Sequence, residues 1–366
     1  MFDRRLISNF DWTLFVICLS ISALGIINLF SAGSFSSNHS STPYYLKQLC
    51  WLLIGLFLLF AIISIDYQLM ARHAYLLHFL SLFLLLITLF WGRQASGTHR
   101  WLQLGGLSFQ PSEFAKITLV LVLSRYFSEL NISKSYKFNN FSLPTFITII
   151  TSFLIFLEPD LGTAALIVLV FTSFIFFLHF GFRYIMAIII SGVALLPCIW
   201  LFLEEYQKRR IFAFLNPGKD SLQAGYQAIQ SKIAIGSGML FGKGFLNGTQ
   251  SQLRFLPEQH TDFVFSVWAE EWGFFGALLL ILLLFLIVSK GLKIASQSRD
   301  RLGSFISIGL FLFLFWQIFI NIGMVIGILP IVGIPLPFLS YGGSSLISTW
   351  VIIGILLNIR MRKFMF

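Results

Sequence analysis

The chain has 366 residues, of which 57% are hydrophobic, 17% aromatic and only 11% charged, a composition that excludes an ordinary soluble domain. Its formal net charge of +10 would suggest a nucleic-acid partner in a soluble protein, but in a chain this apolar it is explained by charge sorting across a membrane, and no nucleic acid is expected. Three cysteines form neither a disulfide framework nor a metal spacing: Cys18 and Cys198 fall inside apolar runs and Cys50 at the edge of one.

Apolar runs of about 17 to 25 residues predict ten membrane-spanning helices. They lie near 11–31, 46–64, 73–91, 112–128, 142–158, 162–180, 184–203, 262–289, 304–328 and 340–359. The expected fold is therefore all-α: one polytopic membrane domain over residues 1–366, with one large loop at 204–261. The first run, Trp12 to Phe30, is too long for a signal-peptide core and lacks a cleavage site, so it is read as a retained helix. An even number of spans puts both termini on one side. Arg4, Arg5, Arg72, Lys134, Lys137, Arg183, Lys290, Lys293, Arg299, Arg301, Arg360, Arg362 and Lys363 share that side, while the short loops opposite hold only Lys47, Arg93 and Arg100. Both termini are then cytoplasmic and loop 204–261 faces outward.

This topology sorts the acids. Glu113, Glu158, Asp160, Glu258 and Asp262 all fall at outer helix ends or in outer loops, where charge is costly unless it faces a cavity or finds a partner. Glu113 follows Pro111, which suits a first helical position, and Lys116 lies three residues on, so an intrahelical ion pair competes with a functional role. In Glu158-Pro159-Asp160-Leu161-Gly162 the proline stops one helix and Asp160 caps the next, which alone explains that aspartate. Loop 204–261 is long enough to contain short helices of its own, for example around Ala228 to Ile235. Lys208, Arg209 and Arg210 begin it as a basic cluster, either a solvated stretch or a phosphate-binding feature. The glycines from Gly236 to Gly244 resemble a nucleotide loop only superficially, because Gly244 stands where Walker A needs Ser or Thr.

The stretch Gly248 to Phe263, G-T-Q-S-Q-L-R-F-L-P-E-Q-H-T-D-F, runs from the long loop into a strongly apolar helix. With Thr261 as N-cap, Asp262 falls in the first turn, where unpaired N–H groups favour its ionised form while burial opposes it. A carboxylate balanced in this way suits a general base; the competing reading is an interfacial helix cap. His260 is read as its positioning neighbour. Further on, Gly323 and Gly327 form a small-xxx-small pattern of the kind that packs helices, and Ser340-Tyr341-Gly342-Gly343-Ser344-Ser345 opens the last span with groups suited to close packing or substrate contact. The six histidines are scattered and support neither a zinc hydrolase nor a serine protease.

Three segments carry a resemblance: Gly248 to Phe263; the preceding Gln230-Ser231-Lys232-Ile233-Ala234-Ile235-Gly236-Ser237-Gly238; and Pro335-Leu336-Pro337-Phe338-Leu339-Ser340-Tyr341-Gly342-Gly343-Ser344. They resemble the SEDS family of bacterial cell-wall proteins (shape, elongation, division and sporulation), and Gly248-Thr249-Gln250-Ser251-Gln252 is closer in wording to its elongation members than to its division members. The resemblance implies a bacterial inner-membrane glycosyltransferase that polymerises lipid II into peptidoglycan strands on the periplasmic face. It also implies a class B penicillin-binding protein, a transpeptidase of the elongation complex, as partner. P-S-E-x-x-K at 111–116 is similar to the family's fourth-helix motif, Arg100-Trp101 matches a family position that can offer a cation to a phosphate or to Glu113, the family carries the same E-P-D-L-G, and it has an arginine matching Arg210. The expected assignment makes Asp262 the base in a direct, inverting transfer. Arg210, Lys116 and Arg100 are the cations for pyrophosphate, Glu113 positions Lys116, and Asp160 and Ser340 are further substrate-binding positions. An acidic cluster facing a pyrophosphate leaves room for Mg2+ or Mn2+, although no ligand set is readable and no metal-binding residue is assigned. The alternatives are a transporter that flips lipid II, which polar groups in a helical cavity would also suit, and a scaffold without chemistry.

Overall fold

Several helix boundaries follow from a local chemical cause. The first helix, α1 (Trp12–Gly33), opens where Asp11 accepts a hydrogen bond from the Leu14 amide at 3.0 Å. Helix α2 (Tyr44–Ser64) starts directly after Pro43, and the short α3 (Tyr67–Arg72) is capped by Asp66. Next come α4 (Ala74–Trp91), α5 (Pro111–Glu129) with Pro111 in its first turn, and α6 (Asn139–Leu157). Helix α7 (Leu161–Phe177) is capped by Asp160 as expected. The segment 204–261 contains α8 (Glu205–Leu215), α9 (Ala224–Ser237) and α10 (Thr249–Gln252), and three long helices follow: α11 (Val264–Gln297), α12 (Arg301–Ile326) and α13 (Gly343–Met361). This computed structural model describes residues 9–33, 43–95, 98–104, 107–130, 139–178, 200–219, 224–253 and 255–364, with isolated positions between 186 and 197.

Among the described residues, seven helices are long and apolar enough to cross a membrane: α1, α2, α4, α6, α11, α12 and α13. Helices α5 and α7 coincide with two further expected spans. Helix α7 is 17 residues long, and α5 carries Glu113, Lys116, Arg125 and Glu129. The charge on α5 has a structural reason: almost every side chain from Pro111 to Ser124 is buried, so this helix faces protein and needs no lipid-compatible surface. The seventh expected span, 184–203, lies largely outside the described residues, as do Arg4, Arg5, Lys134, Lys137, Arg183 and Cys198.

Two features depart from the helical expectation. Between α4 and α5 the chain forms three short antiparallel strands, β1 (Arg93–Ala95), β2 (Thr98–Leu104) and β3 (Leu107–Phe109), with Leu102 paired to Phe109. Gly327 does not continue a packing stripe: it ends α12 in the left-handed conformation, φ 79°, which a glycine adopts without steric cost.

At about 1.5 Å per residue, the 34 residues of α11 would exceed the roughly 30 Å hydrocarbon layer if straight. The helix is instead broken at Gly273 (φ 65°, ψ −161°). The break frees backbone groups on both sides, and the loop after α9 satisfies them. Lys243 and Gly244 amides donate to the carbonyls of Glu270 and Glu271, each at 3.0 Å, and Phe274 and Phe275 amides donate to Met239 and Leu240 at 2.9 and 3.2 Å. Side chains from Val264 to Glu271 are buried, whereas Phe274 and Phe275 beyond the break are exposed.

Polar contacts gather at the two ends of the bundle. At one, Lys290 pairs with Asp11 at 3.2 Å, Arg362 with Asp66 at 3.4 Å, and the Tyr67 hydroxyl donates to Asp300 at 2.9 Å. The start of α1 and the end of α13 therefore share that end, in accord with an even number of crossings. The opposite end, where α5, α7, α11 and α13 begin, holds the acids singled out from the sequence.

Candidate active site

Asp262 lies in a turn ahead of α11, not in its first helical turn. The expected cap does not form: the Thr261 hydroxyl donates to the carbonyl and carboxylate of Glu258 at 3.3 and 3.2 Å, and Phe263 occupies the cap position without a capping side chain. The cause is a set of cross-links that hold the main chain of 260–262 away from the helix axis. The Tyr341 amide donates to the His260 carbonyl at 2.8 Å, the Ser340 hydroxyl to Thr261 at 2.6 Å, and the Asn321 amide nitrogen to Asp262 at 3.1 Å. His260 itself stacks on Tyr44 with ring centres 4.4 Å apart, which makes it a wall of the turn.

Arg210, on α8, approaches the same place. Gly333 (φ 76°) borders both: a Cβ there would stand 3.4 Å from Asp262 Oδ2 and 3.7 Å from Arg210 Nη1, in van der Waals contact with each, so a side chain longer than that would fill the space beside them. Arg210 Nη1 donates to the Ile331 carbonyl at 3.5 Å, and its guanidinium lies 5.7 Å from the Tyr206 ring. Asp262 keeps a partial opening to solvent. Burial of its carboxyl dominates and pushes the pKa up to about 6; Arg210 pulls down, Glu258 adds to the rise, and Arg100 and Asp160 act in opposite directions from farther away. A carboxylate titrating there is poised to take and release a proton near neutral pH.

Arg100 forms the next cluster. It does not reach Glu113; it pairs with Asp160 at 3.8 Å and donates to the carbonyls of Glu158, at 3.2 Å, and Pro159. Asp160 accepts from the Thr163 amide and hydroxyl at 3.2 and 2.9 Å, so it caps α7 and holds Arg100 at once. Glu158 beside it is fully buried with neither carboxyl oxygen hydrogen-bonded, and burial, reinforced by Asp160, raises its pKa to about 9. It is therefore a neutral acid at ordinary pH.

Glu113 and Lys116 form a third, closed cluster. Lys116 Nζ lies 2.6 Å from Glu113 Oε1, the Ser348 hydroxyl donates to Oε2 at 2.6 Å, and the ammonium sits 4.5 Å from the centre of the Phe313 ring. Both charges are almost completely buried, which requires the pairing and hydrogen bonds they make. No hydrogen bond or ion pair joins this cluster to Asp262 among the described residues. Ser340 is likewise engaged: its hydroxyl donates to Thr261 and accepts from the Leu336 amide at 2.7 Å, so it faces main chain. Among the described residues no three His, Cys, Asp or Glu side chains converge as a metal site.

The structure also brings in residues that sequence reasoning passed over. Glu270 accepts from Lys243 Nζ (2.8 Å), the Thr249 hydroxyl (3.1 Å) and the Gln250 amide (3.0 Å), fastening the stretch 243–251 to α11. Gln48 and Asn321 are buried amides that hold the turns around Ser340 and Asp262, and Gln317 fastens the Pro335 carbonyl to α12 without reaching Asp262. Their signal was present in the sequence, since an amide or acid inside an apolar run is costly and rarely idle.

The FtsW/RodA/SpoVE family model, described as cell cycle protein, matches residues 11–364. Peptidoglycan glycosyltransferase MrdB of Escherichia coli (strain K12) is 41% identical over 311 residues, which cover 85% of this chain and 84% of MrdB. Peptidoglycan glycosyltransferase RodA of Treponema pallidum is 32% identical, with 98% of this chain and 99% of RodA covered. Among solved structures, one described as the structural coordination of polymerization and crosslinking by a peptidoglycan synthase complex aligns with TM-score 0.82 at 30% identity, over 98% of this chain and 99% of that one. RodA of Thermus thermophilus aligns with TM-score 0.73 at 28% identity, over 98% of each chain.

Proposed function

The chain belongs to the FtsW/RodA/SpoVE family of cell cycle proteins, and on that footing we propose that it is a membrane-embedded peptidoglycan glycosyltransferase of the elongation type, polymerising lipid II. One observation carries the chemistry: a carboxylate that burial holds near neutral pKa, in the field of an arginine, with a glycine bordering both.

In this reading Asp262 takes the proton of the acceptor sugar hydroxyl. The freed oxygen pair forms the new bond to the anomeric carbon of the donor, and the bond from that carbon to the pyrophosphate breaks with its electron pair leaving on the phosphate. A single displacement of this kind inverts the anomeric centre and needs one base, in contrast to the paired carboxylates of glycoside hydrolysis. Arg210 offsets the charge that develops on the departing pyrophosphate, and Arg100, oriented by Asp160, is the second cation in the same field. The closed Glu113–Lys116–Ser348 cluster is assigned to docking α5 against α13, and Ser340 to holding the Asp262 turn.

The excess of positive residues at the end shared by the chain termini favours that end as cytoplasmic, which puts Asp262 and the 204–261 segment on the periplasmic side, where a lipid-linked precursor is polymerised. A class B transpeptidase is the partner this reading calls for, and the similarity to a chain from a peptidoglycan synthase complex supports it. The test is polymerisation of purified lipid II by the protein with its cognate class B partner. Asp262→Asn, folded and in complex, is expected to make no polymer; glycan formed at close to the wild-type rate would move the base elsewhere.

A further inference from the structure

Asn321 lies on α12 inside the apolar run from Phe311 to Val325 and is fully buried, a costly place for an amide; its Oδ1 finds no hydrogen-bond partner among the described residues, so its nitrogen carries the contacts. Its Nδ2 makes two, to the carbonyl oxygen of Asp262 at 3.1 Å and to that of Ile334 at 2.7 Å. Both partners can only accept, so the nitrogen of the amide is the group that must face them. Ile334 adjoins Gly333, whose bare Cα looks onto Asp262 and Arg210 together. One side chain thus ties the residue that carries the carboxylate to the segment that borders both it and its cation. Ser340 and Gln48 extend the frame, but they hold Thr261 and residues 340–342; among the described residues Asn321 is the one side chain hydrogen-bonded to Asp262 itself.

We propose that Asn321 is a positioning residue for glycosyl transfer, which fixes Asp262 relative to Arg210 by bridging the carbonyls of Asp262 and Ile334. The proposal rests on the reading of Asp262 as base. Asn321 touches no reacting atom and acts through the main chain. Without the bridge the part-buried Asp262 carbonyl and the buried Ile334 carbonyl lose their donor, and the turn at 258–263 can part from the segment at 330–334. Misplacement of a catalytic group by about 1 Å is enough to cost a large factor in rate.

Helix α12 supplies a matched control. Gln317, one turn earlier on the same face, is equally buried and donates from Nε2 to the Pro335 carbonyl at 3.1 Å, holding the same loop without touching Asp262. Polymerisation from purified lipid II by the complex with its class B partner is measured against substrate concentration and pH for wild type, Asn321→Leu, Gln317→Leu and Asp262→Asn, together with unfolding midpoints. Asn321→Leu is expected to lose about a hundredfold in kcat with KM within about twofold. Its acid limb should also be displaced, because the carboxyl changes place in the field of Arg210, Glu258, Arg100 and Asp160. Gln317→Leu should keep wild-type kcat despite a comparable drop in unfolding midpoint. Wild-type kcat in Asn321→Leu, an unmoved acid limb, or parallel kcat losses in both leucine variants that track stability would each overturn the proposal. If the leucine variant does not fold, Asn321→Ser takes its place, since a hydroxyl too short to span both carbonyls makes the same kinetic prediction. Polymer from Asp262→Asn would instead sink the base assignment, so the two failures are distinguishable.

Discussion

Asp262 titrates near 6 because burial outweighs the pull of Arg210, and that balance has a kinetic and a thermodynamic consequence. A base must be ionised, so polymerisation should rise with pH through about 6 and level off above it. The same shift destabilises the fold. The folded carboxyl titrates above the ordinary value of 3.8, so the folded state binds the proton more tightly than the unfolded chain does, and ionising the group costs stability. That cost is absent below about pH 4, grows through the window up to about pH 6 and is complete above it. Asp262→Asn should therefore unfold at a higher temperature than wild type at about pH 7.5, with the gain fading as pH falls toward 4, while losing activity throughout. Thermal unfolding across that range in one detergent would measure it; a variant less stable than wild type at neutral pH would show that the carboxylate is stabilised in place.

At the scale of elements, the break in α11 does two jobs. It shortens the part of a 34-residue helix that must lie in hydrocarbon, and it docks the stretch 238–251, which leads on to the Asp262 turn, on the buried outer part of the helix. Gly242 and Gly273 make the close approach possible. Gly242 has φ 80°, and a Cβ on it would lie 2.0 Å from the Glu271 carbonyl oxygen. Gly242→Ala therefore combines a strained backbone with a backbone clash and should cost at least about 2 kcal/mol. The loss should be local: faster amide exchange at Lys243, Gly244, Phe274 and Phe275, whose hydrogen bonds bridge the break, with protection of α12 and α13 unchanged. Wild-type exchange at those four amides would show that the loop tolerates the side chain.

Over the whole molecule, charge is segregated by end. Ion pairs that include Asp11, Asp66, Lys290 and Arg362 gather near the chain termini, and the candidate active site occupies the other end. The orientation proposed from the positive residues makes a direct prediction in cells. In a background lacking the native cysteines, Glu205→Cys, whose parent side chain is 79% exposed on α8, should react with an impermeant maleimide added outside. Ser296→Cys, exposed near the end of α11, should react only after permeabilisation. Reversed labelling would invert the protein in the membrane and remove the site from the side where the substrate is polymerised.

By itself the sequence determined the membrane class, the positions of nine helices among the described residues, the Glu113–Lys116 pair and the cap at Asp160. All of these are local, set by apolar run length, by the three-residue spacing on a helix face and by short polar side chains ahead of a helix. The motif around Asp262 was legible too, with the family it points to. Its surroundings were not. That the turn of 260–262 is tied to Asn321, Ser340 and Tyr341, that Arg100 turns to Asp160 and away from Glu113, and that Ser340 faces main chain depend on residues about 60 to 80 positions apart meeting in space. The break at Gly273 was decided in the same way, by the loop after α9 satisfying backbone groups a lone helix would leave bare, whereas the strands β1 to β3 are local hairpin pairings that a search for apolar runs does not register. Periodicity and spacing report which face of an element is buried; which element covers it, and so which carbonyl a buried amide such as Asn321 finds, is settled only when the helices pack.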